Sequence, residues 1–423
     1  MKKLETFIPA DHSITAETLG LAGVMRMILK AGLLYRRTIG HLLKRGRYRD
    51  LLNFLYTKTF VPTGEGSGEL AYYFIGPLIR RYPQLAPYPG FVEIEITSKC
   101  NKRCILCEHT WWKEASYDLT FQDFKSLVDQ FALRWTNLTG EGDAFLNSDY
   151  LNMIRYLKAK GTSVYLVDSF DLVEKDIAYE LVKAGVDGIY ISMDGASKET
   201  YETIKVGCRL DKVSANIRRL LEIKKELDSP IPEICFRFVI NKLNVREMPD
   251  FVKMVRSLGS RREWGDGSKI HYVGLLDYPE IHHLYLPEIP SRFIGDTLNA
   301  MRSDPENLPV VFAHTEASKN PSINRCLAWM EPYFALVPRH MALPCCAVLM
   351  SNSREFLSEY CFGDYTKEPF KDIWSHPYYR WFRQTVTRPD APVPALCRGC
   401  RAYDTTWREE KYGVDQRKRE DFE

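Results

Sequence analysis

From Phe91 to about Tyr278 the sequence repeats one pattern, a short β-branched run followed by a longer helical run that ends at glycine, and this alternation leaves few folds open. After a first strand with Val92, Ile94 and Ile96 on one face, strands are expected at Trp135–Thr139, Ser163–Val167, Gly188–Met193, Ile234–Ile240 and Lys269–Leu275. Helices are expected between them, at Thr120–Phe131, Ser148–Lys160, Val173–Ala184, Ser197–Leu227 and Val245–Leu258, several stopping at Gly161, Gly185 or Gly259. About six such units imply parallel strands with helical crossovers, either an open doubly wound sheet or a barrel. At 423 residues and 45% hydrophobic, the chain can fill a barrel-sized core and one or two smaller units besides.

The first strand runs into three thiols in one loop, Cys100, Cys104 and Cys107. Thiolates select soft metals, zinc or iron–sulfur. A closed zinc site wants four ligands, usually as paired C-x2-C units, whereas C-x3-C-x2-C offers three and no local fourth. On a cubic [4Fe–4S] cluster three thiolates leave one iron open to bind and activate a further molecule. A purely structural metal loop is the alternative. The eleven cysteines are not spaced as a secreted disulfide framework, and MKKLETFIPADHSITAE lacks the apolar core of an export signal, so a cytoplasmic location is expected.

C-x3-C-x2-C directly after the first strand of an α/β pattern resembles the radical S-adenosylmethionine (SAM) superfamily. The resemblance implies a partial (β/α)6 TIM barrel, a SAM-binding [4Fe–4S] cluster, and reductive cleavage of SAM to a 5′-deoxyadenosyl radical that removes hydrogen from substrate. Leu106 stands where the family usually has an aromatic adenine contact. LTGEGDAFLN at the second strand's end resembles the family's G-x-G-E-P loop through Gly140, Gly142 and Asp143. Asp143 or Glu141 would then meet the SAM ammonium. Ser169 after the third strand and Ser192 and Asp194 in ISMDG, similar to the S-x-D-G signature, would contact ribose or carboxylate, although strand-end hydroxyls and acids also cap turns. Asp277 and His282, with His283 beside them, close the last strand and are candidates for moving a proton.

Three units are expected: a basic helical segment over 1–85, the partial barrel over 86–285, and a C-terminal unit over 286–423. The last is proline-rich and aromatic and holds Cys326, Cys345, Cys346, Cys361, Cys397 and Cys400. Cys326, Cys345, Cys397 and Cys400 suffice for one cluster or for a zinc ribbon. They resemble the twitch module, a shortened SPASM domain, which implies a second, auxiliary [4Fe–4S] cluster. His340 replaces that family's glycine, and Cys346 is an alternative ligand to Cys345. Cys208 and Cys235 read as small core residues.

Between Arg26 and Lys58 lie nine Lys/Arg and one acid, Asp50, among leucines, with an amphipathic helix expected over Leu19–Tyr35. Such a helical pair packs on the barrel with a solvated basic face, or receives an acidic flavodoxin- or ferredoxin-type electron donor, or touches an anionic membrane peripherally. The net charge of +3 names no partner, and nucleic acid is not expected. Twitch-bearing relatives oxidise or dehydrate aminocyclitols and aminoglycosides, so the resemblance implies a small polar substrate, with a peptide side chain as the alternative. A non-catalytic iron–sulfur carrier would need neither LTGEGDAFLN nor ISMDG.

Overall fold

The computed structural model describes residues 29, 32–60, 89–111, 115–313, 335–337, 340–386, 388, 390–400 and 405–423. Two helices come first, α1 (Arg36–Lys44) and α2 (Tyr48–Phe60). Most of the helix expected over Leu19–Tyr35 lies outside the described residues. Tyr35, Leu42 and Phe54 form the buried seam of the pair. The first turn of α1 is capped from afar: Asp266 Oδ2 accepts the Arg37 and Thr38 amides at 2.9 and 3.0 Å. Arg45 donates to Leu227 O and Asn53 to Gly161 O.

The barrel follows as β1 (Phe91–Glu95), α3 (Phe121–Val128), β2 (Trp135–Thr139), α4 (Tyr150–Ala159), β3 (Ser163–Asp168), α5 (Lys175–Ala184), β4 (Gly188–Ser192), α6 (Lys198–Ile204), α7 (Leu210–Glu226), β5 (Glu233–Ile240), α8 (Met248–Leu258) and β6 (Lys269–Gly274). All six strands are parallel and in sequence order. Alternation puts Val92 and Ile94 of β1 into the core shared with the helices and turns Glu93 and Glu95 into the bore. The bore has an aromatic floor: Phe91 stacks on Trp135 at 3.7 Å, beside Tyr165 and Tyr190.

The helical material expected over Ser197–Leu227 divides into α6 and α7, with Gly207 in the left-handed region (φ 99°) between them. The sheet also runs past residue 285. Helix α9 (Ser291–Arg302) leads to β7 (Val310–Ala313), parallel to β6, and β8 (Ala335–Val337) then adds to the free edge of β1, followed by antiparallel β9 (Met341–Ala342). The nine strands order as β7-β6-β5-β4-β3-β2-β1-β8-β9. A C-terminal unit cut off at 286 would leave both edges of the barrel unpaired.

The remaining helices are α10 (Ala347–Ser351), α11 (Arg354–Tyr360), α12 (Phe370–Ser375), α13 (Pro377–Val386) and α14 (Thr406–Tyr412). Their aromatic core centres on Phe362, stacked on Tyr379 at 3.8 Å, and is continuous with the barrel through the Phe131–Phe370 contact.

Helices α1 and α2 close the N-terminal end of the barrel. They meet the C-terminal ends of α4 and α5, and a cavity of about 370 Å³ remains there. Its charges are largely matched: Asp50 lies 2.6 Å from Arg47 and 3.3 Å from Lys158, Lys158 lies 2.6 Å from Asp187, and Arg155 lies 2.7 Å from Glu180. This cavity is a seam of paired charges at the end opposite the cysteine loop. Among the described residues no helix is long and apolar enough to cross a membrane.

Candidate active site

The cysteine loop is held from three sides. From below, Thr97 Oγ1 donates to Tyr117 O and accepts the Lys99 amide. At the flank, the Arg103 and Ile105 amides donate to Val206 O and Ile204 O, 2.9 and 3.0 Å away. This explains the break between α6 and α7: the exposed carbonyls at the end of α6 receive the cysteine loop, and a Cβ on Gly207 would sit 3.3 Å from Lys102 Cα. Internally, Cys107 N and Thr110 Oγ1 both donate to Cys104 O. Cys100, Cys104 and Cys107 are each half-buried. Burial pushes the Cys107 thiol well above its ordinary range, with Glu108 adding to the effect, so a thiolate there needs a cationic partner such as iron.

Among the described residues no three His, Cys, Asp or Glu side chains form a single-ion cage. An all-sulfur set of three thiols on one loop suits the wider spacing of a polynuclear iron–sulfur cluster. Leu106 packs in a small apolar group with Trp111, Leu275, Tyr278 and Ile281, beside the end of β6.

The loop after β2 lies directly against the cysteine loop, and its glycines are explained by that approach. A Cβ on Gly142 would fall 2.4 Å from Thr97 O, and one on Gly140 (φ 140°) 2.6 Å from Glu95 Cγ. Gly142 N and Asp143 N donate to Thr97 O and Lys99 O. Asp143 forms a buried ion pair with Lys102, accepts Ser169 Oγ at 3.3 Å, and caps the Phe145 amide. Burial pulls the Lys102 ammonium down, but the charge of Asp143 outweighs it and holds the group above its usual value. Sequence reading gave Asp143 to the SAM ammonium; in the structure this carboxylate first fastens one loop to the other.

Glu141 is drawn elsewhere. Arg354, at the start of α11, grips Glu95 with two bonds of 2.9 and 2.8 Å and reaches Glu141 at 2.9 Å. All three are buried or half-buried. No motif marks Arg354, and only its position within the C-terminal unit could have raised it. Asp168, at the end of β3, caps the Phe170 amide at 2.6 Å.

Ser192 ends β4, opposite Arg237 of β5. Asp194 is used as a strut: Oδ1 accepts the Val239 amide at 2.8 Å and Oδ2 meets Lys205 at 2.9 Å. Asp277 and His282 come together beyond β6 with Oδ1 and Nδ1 2.7 Å apart, in an exposed loop.

In the C-terminal unit, Cys397 and Cys400 share a tight turn, Cys400 N donating to Cys397 O, and Gly399 takes a left-handed φ of 59°. Cys326 lies outside the described residues. Burial pushes the Cys346 thiol far up, with the adjacent Glu93 charge contributing, and Cys346 in turn hydrogen-bonds Glu93 in the bore. His340 adopts φ 61°, the left-handed backbone for which the family's glycine is suited. Its ring repays that strain through Tyr117 Oη at 3.0 Å and Asp123 at 3.3 Å. Cys208 and Cys235 are buried, as expected of core residues. Cys361 donates weakly to Ser358 O.

Comparison with known proteins agrees with this layout. Residues 94–255 match the radical SAM superfamily, and residues 326–401 match the SPASM iron–sulfur cluster-binding domain. A tungsten-containing aldehyde ferredoxin oxidoreductase cofactor-modifying protein of Pyrococcus furiosus is 23% identical over 308 residues, 69% of this chain and 83% of that protein. A probable GTP 3′,8-cyclase of Saccharolobus islandicus is 28% identical over 171 residues, 40% of this chain and 53%, about half, of the cyclase. Among solved structures, Streptococcus suis SuiB bound to its precursor peptide SuiA superposes with a TM-score of 0.56 at 13% identity, covering 77% of this chain and 72% of SuiB. The structure of anSMEcpe with bound AdoMet gives 0.50 at 14% identity, covering 73% of this chain and 86% of that one. With a three-thiol loop on the first strand of a parallel barrel and a second thiol set in a unit sewn to its edge, the chain belongs to the radical SAM superfamily and carries a SPASM-type domain, a family whose cofactors are SAM, its [4Fe–4S] cluster and an auxiliary iron–sulfur cluster.

Proposed function

We propose that this enzyme takes hydrogen from a small polar substrate, such as a sugar, aminocyclitol or aminoglycoside, and so oxidises or dehydrates it. Bound at the barrel mouth, SAM and its cluster supply the radical that removes the hydrogen atom. Cys100, Cys104 and Cys107 hold that cluster, and Cys326, Cys345, Cys397 and Cys400 hold the auxiliary one. Cys346, which lies beside Glu93, is the alternative ligand to Cys345. The Gly140–Asp143 loop, Ser169 and Ser192 shape the SAM site.

The observation that carries the substrate class is the wall of the bore. Glu93 accepts from Asn137 at 3.0 Å, Arg237 lies over the Tyr190 ring at 5.0 Å, and register places His271 beside Arg237. Charged and amide groups above an aromatic floor suit a hydroxylated or aminated ligand better than an apolar side chain. Asp277 orients His282 through Nδ1, leaving Nε2 as the atom that accepts a substrate proton. An external one-electron donor of flavodoxin or ferredoxin type completes the system. Likeness to peptide-bound SuiB rests on fold and does not choose a peptide, whereas the Pyrococcus relative is named for modifying a cofactor.

Two measurements test this reading. Anaerobically reconstituted protein should hold roughly eight irons as two four-iron clusters. Replacing Cys100, Cys104 and Cys107 by Ala should remove half of them and all SAM cleavage. Small-molecule and peptide fractions from cells grown in deuterated medium are then offered separately. Deuterium should reach 5′-deoxyadenosine from the small-molecule fraction; transfer from the peptide fraction alone would move the assignment to peptides.

A further inference from the structure

The described residues expose eleven large hydrophobic side chains, and seven of them, Leu29, Leu33, Leu34, Leu43, Tyr48, Leu52 and Leu55, fall within the N-terminal helical segment. Barrel and C-terminal unit together expose only four, scattered ones. Single exposed apolar residues need no explanation, but this concentration does. On α2, Tyr48, Leu52 and Leu55 stand at i, i+4 and i+7 and so form one stripe, with Leu52 67% exposed.

The opposite face is already used. Thr38, Leu42, Asp50 and Phe54 are buried, and Arg37, Arg45 and Arg47 bond to Asp266, Leu227 and Asp50. On the outer side Arg36 and Lys44 are exposed beside the leucines, while Asp50, the one acid of α1 and α2, is turned inward. Apolar side chains flanked by cations, with no exposed carboxylate on α1 or α2 among the described residues, are complementary to an anionic lipid surface: the side chains enter the acyl boundary and the cations meet headgroup phosphates. A protein partner would ordinarily present polar groups needing both signs of charge in return. A helix of 9 residues and one of 13 cannot span a bilayer, so they lie along it.

We propose that the outer face of α1 and α2 seats this enzyme on anionic membranes, with the barrel mouth directed away from the lipid. The mouth points outward because α1 and α2 close the opposite end of the barrel.

Holoprotein is sedimented with vesicles of phosphatidylglycerol and phosphatidylethanolamine, and with phosphatidylcholine alone. Binding to the anionic vesicles should exceed that to neutral ones at least tenfold and weaken with salt. Leu43→Glu/Leu52→Glu and, separately, Arg36→Glu/Lys44→Glu should each lower it at least tenfold. These side chains are exposed, so iron content and dithionite-driven SAM cleavage should stay at wild-type values, which also separates this test from the substrate assignment. Equal binding to both vesicle types, no binding, or unchanged binding by the variants would overturn the proposal. So would a dimer in solution that Leu43→Glu/Leu52→Glu dissolves without any vesicle binding by the wild type, because the face would then belong to a second copy of the chain.

Discussion

Asp143 shows how a motif residue can be recognised and its first duty missed. The spacing of LTGEGDAFLN pointed to the correct loop, and the loop does lie against the cysteines. The partner of Asp143 could not be read, because Lys102 is forty-one positions away and fills one of the unspecified positions of the cysteine motif. Both side chains are 2% exposed, so neither charge has water to fall back on. Asp143→Asn should therefore cost about 3–5 kcal/mol, as expected for a buried pair broken on one side. Loss of iron from the first site should accompany it, because Lys102 sits between Cys100 and Cys104. Iron retention with weakened SAM binding alone would return Asp143 to the SAM ammonium.

His340 is the converse case. Its departure from the family glycine was visible, and the structure shows how it is tolerated: a left-handed backbone held by a ring that meets Tyr117 and Asp123. His340→Ala keeps the strain and loses the ring, so it should be about 1–2 kcal/mol less stable than His340→Gly in urea titration.

Elements were more legible than their neighbours in space. Strands β2 to β6 follow from β-branched runs between glycines, and the structure moves their bounds by at most one residue. Gly207 marks the place of the break between α6 and α7, but its cause, the distant cysteine loop docked on the end of α6, could not be read from the sequence. Strand β7 was missed because VVFA is four residues long and follows a proline-rich stretch. The docking of α1 was equally unreadable, since its N-terminal amides are capped by Asp266, 229 positions away from Arg37. Asp266→Ala should lower stability by about 1 kcal/mol, the usual worth of a helix cap, and make residues 36–44 the first site of limited proteolysis. Unchanged stability and cleavage would mean that the buried seam of Tyr35, Leu42 and Phe54 holds the pair unaided.

At the scale of the molecule, Arg354 joins the two iron–sulfur units. It belongs to the C-terminal unit, yet its guanidinium satisfies Glu95 at the end of β1 and Glu141 in the loop assigned to SAM. Arg354→Gln leaves two carboxylates facing each other in a buried site, and a loss of about 3–5 kcal/mol is expected. SAM affinity should fall with it while the auxiliary cluster stays loaded. Arg354→Lys, which keeps the charge but not the two-pronged geometry, should fall between. Equal SAM affinity in all three proteins would show that the C-terminal unit does not shape the SAM loop.

The two ends of the barrel also decide where electrons enter. The cysteine loop leaves the C-terminal end of β1, while α1 and α2 contact Gly161, Leu227 and Asp266, all on connections that feed the N-terminal ends of strands. Five or six residues of strand separate those ends, roughly 17–20 Å, and the aromatic floor lies between them. A donor docked on the basic pair would therefore be held away from the first cluster by the length of the sheet. Among the cations of this pair, Arg37 and Arg45 bond to the barrel, and reversing them would disturb the fold. Arg36 and Lys44 can be reversed cleanly. Arg36→Glu/Lys44→Glu should leave the ratio of flavodoxin-driven to dithionite-driven SAM cleavage at its wild-type value at low and high salt. A ratio that falls at low salt only would place the donor on this face after all, through electrostatic steering.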